Sequence, residues 1–184
     1  MINTAYTGLV VCVLILRFGA SAQTTNLDLV KEESFVTYRI VHPLHEIEAT
    51  SKDVQYVIQA DPSTKEIKRV SAQVDVTTFD SGNSNRDSHA MEVIDAITYP
   101  EVTFASTSIA QAGDSVNVTG KLTFHGVTKE IVLRGLSTWS DHKLVVHGGF
   151  AISLTGFNIE RPSLLMIPVE DALTFSIVAA FVWK

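Results

Sequence analysis

The 184 residues contain a single cysteine, Cys12, so no disulfide can form within the chain and no multi-thiolate metal site can be built. Proline and glycine are sparse, at five and ten, and no Pro/Gly-rich linker or low-complexity tract divides the sequence. Basic residues are few: 14 Lys and Arg stand against 20 Asp and Glu, a net charge of −6. This balance excludes the basic patch that nucleic acid requires and an electrostatic grip on anionic lipid headgroups. There is no HExxH, no Gly-x-Ser-x-Gly elbow and no phosphate-binding loop. His42, His45, His125, His142 and His147 are scattered rather than set at ligand spacing. No metal and no cofactor is expected.

Long apolar runs are also missing. Leu9 to Leu16, interrupted only by Cys12, is too short for the ~20 residues of a membrane span. It is followed by Ala20-Ser21-Ala22, the small-x-small pattern of a signal-peptidase site. Residues 1–22 therefore read as a signal peptide, cleaved after Ala22 to leave Gln23 first and the protein periplasmic or secreted. Cys12 and Arg17 leave with it, so the mature chain carries 13 basic and 20 acidic residues, a charge of −7, and no integral membrane segment. Acidity of this size favours solubility. Residues 23–184 read as one domain, long enough to be held by a hydrophobic core alone.

What is abundant is alternation. Val36, Tyr38 and Ile40 recur at period two, as do Val70, Ala72, Val74 and Val76, which is the pattern of half-buried strands. Eight strands are expected: 34–41, 53–60, 66–77, 102–109, 116–124, 127–136, 143–154 and 172–183. His42-Pro43 reads as the end of the first strand, because proline cannot donate to a ladder. Gln23 to Glu33 is polar and reads as a loose arm. Between the third and fourth strands the period changes. Ala90, Met91, Val93, Ile94 and Ile97 fall near helical spacing over 86–97, with Ser84 or Asn85 as cap and Asp87 suited to the positive helix end. Tyr99-Pro100 stops this helix, and a short link runs from Arg161-Pro162 to Pro168. Sequential hairpins of this kind give an up-and-down antiparallel sheet, as a barrel or a sandwich.

Three segments resemble the YceI-like family: Arg86-Asp87-Ser88-His89, the stretch Tyr99-Pro100-Glu101-Val102-Thr103-Phe104-Ala105-Ser106, and Gly120 to Leu133 with its turn at His125-Gly126. The likeness runs from about Ser34 to Trp183 and includes Phe150 to Pro162. It implies an all-β fold, an eight-stranded antiparallel lipocalin-like β-barrel, with one short helix after the third strand and a short link before the last. It also implies that the barrel holds a long apolar molecule such as a polyisoprenoid. Two places depart from the family pattern: Ala49 stands where many relatives carry glycine, and Thr155-Gly156-Phe157-Asn158 replaces an Arg-Asp-Phe-Gly-like element.

The residues alone leave a filled core and an apolar cavity open, since both want large side chains interrupted by small ones. With the resemblance, a cavity is the expectation. Its apolar wall is assigned to Val74, Val76, Phe104, Phe124, Phe150, Ile152, Phe175 and Ile177, each on the apolar phase of its strand. An isoprene unit buried there gains on the order of 3 kcal/mol before binding costs, so a few units suffice without a strong headgroup contact. Arg86, Asp87 and His89 combine a cation, an acid and a base within four residues. They read as helix-end groups that contact a headgroup at the mouth, with no catalytic residue and no enzyme expected. The alternatives are an enzyme acting on an apolar substrate through these three, or an interaction protein with a filled core. An outer-membrane barrel is disfavoured by Arg69, Gln73, Asp75, Asn117 and Lys121 on the outward phase. The outward apolar row Ala172, Val178, Ala180 and Val182 calls for cover, by the helix or by a second copy in a homodimer.

Overall fold

A computed structural model describes residues 23–184; the expected signal peptide lies outside the described residues. The fold is all-β with one short α-helix. Two short strands, β1 (Thr25–Asn26) and β2 (Asp28–Leu29), lead through a 3-10 turn at Lys31–Glu33 into β3 (Phe35–His42), β4 (His45–Ser51), β5 (Val54–Asp61) and β6 (Glu66–Asp75). The helix α1 (Ser84–Val93) follows, then β7 (Glu101–Ala112), β8 (Ser115–Phe124), β9 (Val127–Ser140) and β10 (Lys143–Ser153). A two-stranded hairpin, β11 (Ser163–Leu164) and β12 (Ile167–Pro168), precedes the last strand, β13 (Ala172–Val182).

Eleven strands form one sheet in the order β1-β5-β6-β7-β8-β9-β10-β13-β3-β4, with β2 added to β13. Every pairing is antiparallel. The last strand thus lies beside the first long one, Phe175 opposite Tyr38. Apolar residues from all nine long strands meet in one core cluster, so the sheet rolls round a single interior. Several turns follow from local chemistry. His125 and Gly126 both take positive φ, 49° and 69°, the left-handed pair that joins right-twisted strands in a two-residue hairpin.

The strand count exceeds the expected eight. The long strand missed by the sequence reading is β4, which pairs with β3 from His42↔His45 to Val36↔Ser51; the short β1, β2, β11 and β12 were not expected either. Pro43 does not end the pairing; it sits with Leu44 in the two-residue connection, where a missing N–H costs no ladder bond. The N-terminal arm is not loose either. Thr25 pairs with Ala60 at the edge of β5, and Leu29 pairs with Phe181 on β13. Leu27 between them is buried and donates its N–H to Ile58 O at 3.1 Å. The arm therefore stitches β5 to β13.

The same segment covers part of the outward row of β13: Ala180 is buried, Val178 and Val182 are half-buried, and Ala172 stays exposed. The Ala180 carbonyl accepts from Val30 N at 2.9 Å and its N–H donates to Ser34 Oγ at 3.0 Å. The helix does not provide this cover. It starts two residues earlier than expected and ends at Val93, with Asn83 as its cap: Asn83 Oδ1 accepts from Asn85 N and Arg86 N at 3.1 and 3.2 Å. Asx side chains satisfy the orphan donors of a first turn in this way.

Candidate functional site

Inside the rolled sheet lies a cavity of about 600 Å³. Its wall is built by the inward phase of the strands. On β10 and β13 that phase reads Leu144, Val146, Phe150, Ile152 and Leu173, Phe175, Ile177, Ala179, Phe181. Leu144, Ile152, Leu173 and Phe181, toward the strand ends, are buried. Val146, Phe150 and Ile177, toward the middle, are only half-buried although they point inward, because the area they expose faces the cavity. A filled core at crystal-like density has no such mid-strand exposure.

Of the eight assigned wall residues, Val74, Val76, Phe104, Phe124, Phe150, Phe175 and Ile177 line the cavity. Ile152 does not: it is buried in the surrounding core, opposite Leu173. Phe150 and Phe175 are directly paired and their rings stack, centroids 4.9 Å apart at 17°. Much of the wall was not assigned from sequence. Val70 shares the phase of Val74 and Val76, and Tyr38, Tyr56 and Ile58 lie on the apolar phase of β3 and β5, from which no wall residue was assigned, so alternation could have found them. Ala90, Met91 and Val93 of α1 and Ile94 just after it also line the cavity, as do Leu154, Ile159 and Val169 of the segment before β13. The latter lie in irregular chain, where no periodicity marks an inward face.

Six lining residues are exposed to solvent: His45, Asn83, Asn85, His89, Ser163 and Leu164. They mark the mouth. It lies between the β3–β4 turn, the first half of α1 and the β11–β12 hairpin. Arg86, Asp87 and His89 all line this end, but they are not joined as a catalytic set. Arg86 Nη2 donates to Ser81 O at 2.6 Å and its Nε to Ser81 Oγ at 2.9 Å, while Asp87 accepts from Ser81 N and Oγ. The two charges thus clamp the loop before the helix. His89 is exposed, with Nδ1 3.6 Å from the Glu92 carboxylate. Tyr38 reaches toward them from β3; burial pushes its phenol pKa up, Asp87 adds to the rise and Arg86 opposes it. Tyr56, deeper in the wall, is raised by burial as well and donates to Phe35 O at 3.3 Å.

The departure at Thr155-Gly156-Phe157-Asn158 lies between Leu154 and Ile159, which line the cavity, without lining it itself. Thr155–Phe157 is a 3-10 turn ended by Asn158 at φ 59°, a left-handed position that asparagine tolerates. Phe157 is buried between Phe124, at a ring distance of 6.0 Å, and the Lys129 ammonium, 5.5 Å from its ring. The other departure, Ala49, is buried on β4 opposite Tyr38. Among the described residues no group of three or more His, Cys, Asp or Glu is placed to hold a metal ion, and no helix is long and apolar enough to cross a membrane.

Comparison with known proteins agrees with this architecture. The sequence profile of the YceI-like domain matches residues 27–181. Protein YceI of Escherichia coli is 28% identical over 151 residues, covering 77% of this chain and 79% of its own. Among solved structures, BcnA of Burkholderia cenocepacia superposes with a TM-score of 0.76 at 24% identity, over 83% of this chain and 99% of BcnA. A polyisoprenoid-binding domain from Saccharophagus degradans, implicated in plant cell wall breakdown, superposes at 0.63 with 13% identity, over 86% and 98% of the two chains.

Proposed function

The chain belongs to the YceI-like family, and from that premise we propose that it is an exported carrier whose lipocalin-like barrel takes up one long apolar molecule. A polyisoprenoid, a quinone tail or a similar lipid fits this description. The protein stores, shields or transports it through an aqueous compartment, periplasmic or extracellular, after cleavage following Ala22. The observation that carries this reading is the 600 Å³ cavity with its almost wholly apolar wall. A carbon group fills about the room of a water molecule, so at about 30 Å³ each the cavity takes on the order of 20 carbons, about four isoprene units. Each methylene-sized group buried contributes about 0.8 kcal/mol before ordering costs. The wall therefore supplies useful affinity and selects for length and girth. The Saccharophagus degradans domain supports the ligand class.

Binding without turnover is the reading because Arg86 and Asp87 direct their hydrogen bonds to Ser81 rather than to each other or to His89. A filled-core interaction protein fits poorly with half-buried Val146, Phe150 and Ile177. Native mass spectrometry and organic extraction of protein purified from its own host should return one long-chain lipid per chain. Protein that arrives empty, and stays empty after incubation with polyprenyl and quinone lipids, would rule the carrier out.

A further inference from the structure

The β11–β12 hairpin presents its most apolar residues to water. Leu164 pairs with Ile167, leaving Leu165 and Met166 as the two-residue turn. Both take left-handed backbone, φ 53° and 62°. That turn strongly prefers Asn-Gly or Asp-Gly, and leucine and methionine gain nothing from it within the chain. Their side chains are 75% and 96% exposed, and Leu164 and Ile167 are exposed beside them. Strained backbone and exposed apolar surface here have no return within the folded chain. Such an outlier points to a role outside it.

A second tip lies alongside. Leu44, in the β3–β4 turn, is 62% exposed. One buried imidazole ties the two tips together. His42 Nδ1 accepts from Leu44 N at 3.2 Å, which leaves Nε2–H to donate to Ile167 O at 3.0 Å. Glu170 N donates to Val41 O at 2.8 Å and fixes the hairpin bases. The apolar tips therefore move as one edge, and Ser163 and Leu164 of that edge line the cavity mouth.

We infer that this edge, Leu44 with Leu164 to Ile167, is a docking tip that inserts into the surface of a lipid bilayer and sets the cavity mouth against it. The inference rests on the carrier reading, since an apolar cargo needs a route that avoids water. Charge points to a bilayer without net charge. No charged residue lies between Arg161 and Glu170; near Leu44, Arg39 and Glu46 are paired with each other, and the neighbouring carboxylates of Glu48 and Glu170 leave that flank without a free cation to hold an anionic headgroup. Insertion then rests on apolar burial at the interface and is insensitive to salt.

The test compares the wild-type protein with Leu165→Asn/Met166→Gly, which removes the apolar tip and gives the turn its preferred residues. Flotation with phosphatidylcholine vesicles should show wild-type partitioning at low and high salt, and at least tenfold weaker partitioning for the variant. The variant should keep its thermal midpoint and its capacity for a polyprenyl chain in detergent. Equal partitioning of the two proteins, or none by either, would overturn the tip while leaving the carrier intact. A wild-type dimer dispersed by the substitution, without vesicle binding, would assign the edge to a second copy and overturn it too. Vesicle binding lost in the variant, in a protein that never takes up lipid, would keep the tip and remove the carrier.

Discussion

The stacked pair Phe150 and Phe175 separates a cavity from a core by mutation. Trp at position 150 in a filled core overpacks and costs about 1–3 kcal/mol. Here the half-buried ring faces open space, so Phe150→Trp should change the unfolding free energy from a urea titration by less than about 1 kcal/mol while shortening the longest chain the protein retains. Gly120 behaves in the opposite way. A Cβ there would meet Ala105 O at 2.5 Å and the Phe104 ring at 2.5 Å. Gly120→Ala should therefore destabilise by about 1–3 kcal/mol in the same titration, because backbone and a buried ring both stand in the way. The role of Gly120 was not visible in sequence, where it interrupts an apolar row as Ala72 does. Which phase each strand turns inward was visible, and seven of the eight assigned wall residues line the cavity. Ile152 was misplaced because alternation gives a side chain's direction but not its depth along the rolled sheet.

At the scale of elements, capping and carboxylate contacts govern the ends. Asn83→Ala removes the acceptor of two first-turn amides and should cost about 1 kcal/mol, read from chemical denaturation. Asp171 ties the 3-10 turn to the start of β13: it accepts from Ser153 Oγ at 2.5 Å and Thr155 N at 2.9 Å. The Ser153 hydroxyl is the main cause that holds its pKa below the usual carboxylate value. Hydrogen bonds from Ser63 to Asp61 and from Thr77 to Asp75 act in the same direction, as does Lys68 beside Glu66. A depressed folded pKa contributes stability that is present above the unfolded value, about 4, and is lost as pH falls through the folded one. Stability should thus hold down to about pH 4–5 and fall below it. Asp171→Asn should make the acid limb shallower when the urea midpoint is plotted against pH. The strands with long alternation were legible to within a few residues. The strand β4 was not, because Pro43 resembles a terminator and His45-Glu46-Ile47-Glu48 is mostly polar. The helix was legible by its period but not by its cap, which is Asn83 rather than Ser84 or Asn85, and its place against the cavity shows only in its packing.

For the whole molecule, loading and folding are linked. A ligand that binds only the rolled sheet stabilises it by RT ln(1 + [L]/Kd), about 2.7 kcal/mol at a hundredfold excess over Kd. Delipidated protein should melt lower and recover its midpoint on addition of a polyprenyl chain, with a negative heat-capacity change on binding; an unchanged midpoint in calorimetry would contradict an interior site. The stitch between the ends of the chain carries a consequence for synthesis. Ala172–Val182 is the final long strand, and it sits between β10 and β3 while holding β2 at its far end. Its contacts span almost the full described chain, as between Leu29 and Phe181. Contacts of such range close late and slowly. The sheet cannot mature as the chain emerges, and a nascent chain halted before Ala172 is no smaller version of the fold. It leaves β10 and β3 as two bare edges, each a template for aggregation, until the eleven residues of this strand arrive.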